Sequence, residues 1–330
     1  MAILEAITEL APKLVFIYLA ILLGVIWRFS KFYRPDYGKF FTKLVIWIFF
    51  PINILASVLE SESIDIQIFL GIGLLTVLIH ILSYVAITFV SKGVHKNQQL
   101  DEDQSVGAQA LVASFPNALL YPFPVILATV GNKGLQFAAI FVFFALILRN
   151  SFGVYIGVRH SSRTDESSPN LNIRKIILEV TKFPPFVAMI VGIVILYFFG
   201  TQELNSPFIQ ILKDISIWGS LILVGLSFQD LTQLKPVNLF SRRTLEVTCI
   251  RFGFAPIIGL LFVTLWHFSP LVSFVLLIQC MSPPAVANII YGKFFGLPED
   301  EISIYISSVT FLALLILPLE LFILQLLFPV

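Results

Sequence analysis

The chain has 330 residues, of which 58% are hydrophobic and 12% charged, whereas a soluble protein of this length carries about twice that charged fraction. A net charge of +1 gives no electrostatic ground for a nucleic-acid or acidic partner. The two cysteines, Cys249 and Cys280, lie inside apolar runs, so neither a disulfide framework nor a metal cluster is expected.

Runs of about 17–25 apolar residues read as membrane spans, and ten are predicted. The first, 12–28, is opened by Pro12; it lacks the basic n-region and small-residue end of a signal peptide and counts as a span. Span two, 43–60, carries a polar stripe of Pro51, Asn53 and Ser57, and span three, 66–91, contains His80. Span four is 105–130 and span five, 134–158, holds Arg149 beside Asn150. A polar stretch rich in Ser, Asp and Asn then reads as a linker over 161–182. Spans six and seven are 183–200 and 208–229, the latter ending in Gln229-Asp230. Span eight, 242–267, carries Glu246 and Arg251, for which an ion pair or a headgroup contact is expected; spans nine and ten are 270–296 and 302–328. Trp27, Trp47, Trp218 and Trp266 suit interface anchors.

Alternate loops differ in basic residues. The odd ones hold 16 of the 21 Lys and Arg, leaving Lys13, Lys133 and Lys213 on the other side and Arg149 and Arg251 within spans. The positive-inside rule puts the odd loops in the cytoplasm and both termini outside. The linker then divides the chain into a first five-span repeat, 1–160, and a second, 183–330. An odd number of spans per half inverts the second, the geometry of an inverted repeat. Matching landmarks recur in order: Pro12 with Pro184-Pro185, Trp47 with Trp218, and an apolar half-span ending at Gly131 or Gly296.

Spans four and nine match most closely. The first reads Ser114-Phe-Pro116-Asn117-Ala-Leu-Leu-Tyr121-Pro122-Phe-Pro124, the second Gln279-Cys-Met-Ser282-Pro283-Pro284-Ala-Val-Ala-Asn288. Proline removes a backbone donor and blocks the carbonyl one turn back, so neither stretch continues a helix. At membrane depth such irregular backbone must be buried or line a cavity. Two interruptions at corresponding places in two halves point to a transporter's binding site, where half-helix N-termini offer N–H donors suited to a carboxylate. Arg149 admits two readings, a counter-charge for an anionic substrate or a side chain that snorkels or pairs with an acid. His80 reads as a satisfied buried histidine before a proton relay. Nucleophile elbows, metalloprotease helices, phosphate loops and paired cysteines are absent, so no enzyme is expected.

These stretches resemble the auxin efflux carrier family, whose members include plant auxin exporters and bacterial carriers of small dicarboxylates. The likeness rests on Phe50-Pro51, Ser114-Phe-Pro-Asn117 with Pro124, Ile217-Trp-Gly-Ser with Gly225, Ser282-Pro-Pro-Ala-Val-Ala-Asn288 and Leu317-Pro318-Leu319. It implies an all-α integral membrane protein with ten helices in a 5+5 inverted repeat and two proline-broken crossing helices. It also implies a scaffold domain, a transport domain and elevator-type alternating access for a small organic anion, auxin- or dicarboxylate-like. Substrate contacts would fall on Asn117, Pro283, Pro284 and Asn288, with Asn53 in span two; the two breaks add Pro116, Tyr121, Pro122 and Ser282, and span five adds Arg149. Tyr121-Pro122 stands where many members carry glycine. The expected partners are the organic anion and the bilayer of a prokaryotic plasma membrane, with a homodimer as an option and no cofactor. Two further readings are a sodium-coupled organic-anion symporter of the bile-acid type, disfavoured because spans four and nine contain no Asp or Glu, and a transport-dead receptor.

Overall fold

The computed structural model describes residues 2–60, 65–92, 100–161, 182–200, 207–226 and 236–330. Most of the expected linker lies outside them, as do Gln229 and Asp230. Every described element is helical apart from one isolated antiparallel bridge. Among the described residues, six helical stretches are long and apolar enough to cross a bilayer: Leu10–Arg28, Pro35–Leu59, Ile66–Ser91, Pro122–Arg159, Arg242–Leu265 and Glu299–Leu327. Shorter apolar helices cover Pro184–Phe199, Asp214–Leu226 and Pro270–Cys280. Phe89, Tyr197 and Leu265 are 81%, 83% and 79% exposed, a surface that suits hydrocarbon and not water.

Helix α1 (Ala2–Arg28) runs through Pro12 instead of starting there. Thr8, one turn earlier, is exposed, so the carbonyl that Pro12 cannot pair is not forced to be buried. Pro184-Pro185, in contrast, do begin α8 (Pro184–Phe199), where a missing N–H costs nothing. Span two consists of α2 (Pro35–Leu44), a π-helical turn at Val45–Phe49 and α3 (Phe50–Leu59). The same design recurs in span eight: α10 (Arg242–Cys249), a π turn at Ile250–Phe254 and α11 (Ala255–Leu265). Each π turn sits just before a proline, Pro51 or Pro256. The widened turn gives room to the carbonyl that the ring would otherwise strike.

Spans one and seven, α1 and α9 (Pro207–Leu226), pack along their lengths, and so do spans two and six, α3 and α8. Between α1 and α9 the approach is close enough that a Cβ on Gly24 would lie 2.1 Å from the Ile222 carbonyl oxygen, and one on Gly225 2.1 Å from that of Ile21. Small residues permit this backbone-to-backbone packing where apolar burial gives little driving force. The remaining helices form a second group. Helix α4 (Ile66–Lys92) packs on α5 (Leu100–Ser114) and on α7 (Leu135–Arg159). Helix α14 (Glu299–Leu327) lies against α5, α10 and α13 (Asn288–Phe295).

The two expected breaks are present. Helix α5 stops at Ser114 and α6 (Pro122–Val130) starts at Pro122; α12 (Pro270–Cys280) stops at Cys280 and α13 starts at Asn288. Both second halves end on a glycine of positive φ, Gly131 at 68° and Gly296 at 70°, a conformation that glycine reaches without a Cβ clash.

Candidate functional site

Where the broken helices meet, their interruptions run past each other, bridged antiparallel at Pro116 and Pro284. The Asn117 amide donates to the Pro283 carbonyl (2.6 Å) and the Ala285 amide to that of Phe115 (3.1 Å). Asn288 Nδ2 adds a bond to the Phe115 carbonyl at 3.1 Å. Within the first interruption Asn117 Oδ1 accepts from the Leu120 amide at 3.0 Å, a side-chain-to-backbone bond that holds the turn ahead of α6. Part of the backbone freed at the interruptions is thus met by the opposite interruption, as burial away from water requires.

A cavity of about 160 Å³ opens beside this crossing. Its wall includes Pro116, Asn117 and Val286 from the interruptions, Arg149 from α7, Ile46 from the span-two π turn and Phe183 just before α8. It therefore lies between the two helix groups. The wall is mostly apolar, and Arg149 is the one charged residue in it. Arg149 pairs with no acid among the described residues. Its Nη2 donates to the Pro116 carbonyl at 3.3 Å, and its guanidinium lies 5.7 Å from the Phe115 ring centroid, within cation–π range. A guanidinium has five N–H donors, so most remain for a ligand. The first amides past each break are spent within the crossing. Arg149 is thus a source of positive charge in the wall, one of the two expected from the sequence, the half-helix N-termini being the other.

The other residues singled out above divide by place. Ser282, Pro283, Pro284 and Asn288 build the crossing without joining the cavity wall. Pro122 begins α6, and Tyr121 is buried with its hydroxyl 3.5 Å from the Ala313 carbonyl in α14, outside the wall. Asn53 is fully buried, with its Nδ2 bonded to the Phe49 carbonyl (2.8 Å) and to the hydroxyl of Ser216. Span two reaches the cavity through Ile46, seven residues earlier. Seven residues of unbroken α-helix would return to one face; the π turn inserts one residue and rotates Asn53 away by about 100°. His80 is buried, its Nδ1 2.7 Å from the Thr76 carbonyl and its ring 5.2 Å from that of Phe115.

One expectation is corrected. Arg251 and Glu246 form no ion pair. Glu246 pairs with Arg242 (3.0 Å) and accepts from Gln109 Nε2 (3.2 Å). Arg251 lies in the π turn, 0% exposed, and faces the crossing. Its Nε and Nη2 donate to the Ser282 carbonyl at 3.0 and 2.8 Å, its Nη2 to Cys280 at 2.8 Å and its Nη1 to Ala113 at 3.4 Å. Five residues along a helix turn through more than a full revolution and do not bring side chains together as three or four do. The sequence signal that marks Arg251 is its place five residues before Pro256, where the helix must widen.

A profile of the family described as membrane transport protein matches residues 10–321. The chain belongs to this membrane transport protein family. The likeness to auxin efflux carriers read from its motifs holds at the level of the family. An uncharacterized transporter of Methanocaldococcus jannaschii is 26% identical over 315 residues, which cover 92% of this chain and 96% of that protein. As a member of the membrane transport protein family the chain is an integral, multi-pass membrane protein, and both comparisons point to transport and not to enzymatic catalysis.

Proposed function

We propose that this protein is a secondary transporter or facilitator that carries a small organic anion through the cavity at the helix crossing. In this reading the chain crosses the membrane ten times as two inverted five-span repeats, with both termini outside a prokaryotic plasma membrane. The repeat is supported by the reciprocal packing of span one on seven and of span two on six, which a two-fold operation exchanging the halves would produce. These four spans serve as the scaffold. The broken helices with spans three, five, eight and ten move past them as an elevator, exposing the cavity to either side in turn. A cavity whose walls come from both groups supports that division.

One observation carries the substrate class: a single guanidinium, mostly unspent, in an otherwise apolar wall. It suits one carboxylate on a compact apolar body, since a second carboxylate has no charged partner there. Flux of radiolabelled monocarboxylates and dicarboxylates into proteoliposomes tests the reading. Arg149→Met is expected to reduce uptake about 10- to 100-fold, the equivalent of a charged hydrogen bond of about 1.5–3 kcal/mol. Arg149→Lys should retain part of it, because the charge persists without the planar fork. Undiminished anion uptake by Arg149→Met would show that the substrate is recognised elsewhere.

A further inference from the structure

The carbonyls held by Arg251 belong to the ends of two helices. Ala113 lies in the last turn of α5 and Cys280 is the last residue of α12, with Ser282 two residues beyond. Helix C-termini carry about half a negative charge each and leave their last carbonyls unpaired. Two such ends converging at membrane depth, with irregular backbone beside them, make the setting in which carbonyl oxygens of broken helices coordinate an alkali cation. Here four hydrogen bonds from one guanidinium take up the carbonyls of Ala113, Cys280 and Ser282. No carboxylate pairs with Arg251 among the described residues. The polar side chains that complete the two helix ends, Ser114 and Gln279, are neutral and buried. A second cation placed there would face the guanidinium; Glu320, buried in α14, acts on Arg251 through space but is not bonded to it.

We propose that Arg251 is a tethered cation: its guanidinium permanently fills the position between the two half-helix C-termini that Na⁺ or K⁺ would otherwise occupy, so that neither ion binds the crossing or is required for the protein's cycle. The consequence for transport rests on the function proposed above; the cation site itself does not. It also accounts for the π turn. Pro256 enforces one extra residue in the preceding turn, and Arg251 lies on the bulge that results. The helix geometry thereby presents a side chain from span eight to the meeting point of spans four and nine.

Thermal melting of the purified full-length protein in detergent tests the site without any substrate. The wild type is expected to melt at one temperature in NaCl, KCl and choline chloride of equal ionic strength. Arg251→Met vacates the position. Its melting temperature should fall and then be raised saturably by millimolar guanidinium or by Na⁺, and not by choline, because a ligand that binds only the folded state stabilises it by mass action. A Na⁺-specific rise in the wild type overturns the proposal, as does a folded Arg251→Met protein indifferent to every cation. Should Arg251→Met yield no folded protein, the wild type and Arg251→Lys decide. Both retain a fixed charge and are expected to show no preference among the three chlorides; a Na⁺-specific rise in either sinks the assignment. In proteoliposomes, replacing Na⁺ by choline should leave wild-type flux unchanged. Absence of flux for every acid tried, with melting as expected, would remove the transport reading and leave the tethered cation standing.

Discussion

Asn117 performs two tasks that substitution can separate. Its Oδ1 accepts from the Leu120 amide in the turn, and its side chain belongs to the cavity wall. Asn117→Ala removes that turn bond and should cost about 1 kcal/mol of stability, the usual net worth of one hydrogen bond. Asn117→Asp keeps an acceptor oxygen, and should therefore retain the wild-type melting temperature while weakening anion uptake, because it adds negative charge to a wall built around Arg149. Melting curves and the KM for uptake read the two effects independently. Equal melting temperatures for the Ala and Asp variants would show that the turn bond contributes nothing. At this scale the sequence was legible where chemistry is local. Pro116, Asn117 and Pro283-Pro284 announce the interruption by what proline cannot do. Arg251 was not legible as a partner of the crossing, because its acceptors are backbone carbonyls 29, 31 and 138 residues away, and a backbone carbonyl has no letter in the sequence.

Among the elements, the two π turns decide which faces of spans two and eight meet the rest of the molecule. Proline in a helix interior costs about 3 kcal/mol relative to alanine, so Pro256→Ala would ordinarily stabilise. Here it should do the opposite. Relief of the clash lets Ile250–Phe254 return to α-helical pitch, rotates Arg251 by about 100° and withdraws its guanidinium from Ser282 and Cys280. The expected result is a lower melting temperature and lost uptake, with Pro12→Ala, in a helix that has no such turn, as the control. A Pro256→Ala protein that is more stable and fully active would mean that the π turn positions nothing. Some helix ends were legible from the apolar runs, as at Ile66 and Pro184, whereas α1 starts at Ala2 and α2 at Pro35, ahead of the runs read from 12 and 43. The π turns were not, for a one-residue bulge leaves hydropathy unchanged and shows only as a shift of face. That shift is why Ile46, and not Asn53, reaches the cavity.

For the molecule as a whole, the sequence orders the spans but does not say which of them touch. Recurring landmarks suggested two halves, whereas the pairing of α1 with α9 depends on Gly24 and Gly225, two glycines 201 residues apart whose close approach only the folded chain reveals. The bridge between Pro116 and Pro284 has a similar standing: each proline marked a break, and neither marked the other. The cavity was expected at the broken helices with Asn53 of span two and Arg149 of span five, yet Ile46 and Phe183 close it from the other helix group.

Those two side chains bear on how an empty carrier behaves. If the crossing slides past the scaffold, Arg149 slides with it, and an unoccupied guanidinium would be dragged bare across an apolar seam. A desolvated charge costs several kcal/mol when unpaired, whereas one covered by a carboxylate crosses as a nearly neutral unit. The laden journey should then be fast and the vacant one slow. Labelled acid is expected to enter faster into proteoliposomes preloaded with the same unlabelled acid than into empty ones, and in Arg149→Met the residual flux should lose that acceleration. Equal entry rates into loaded and empty vesicles of the wild type would count against the idea. The lone charge in a greasy wall would then serve as a ratchet against idle turnover as well as a grip on the cargo.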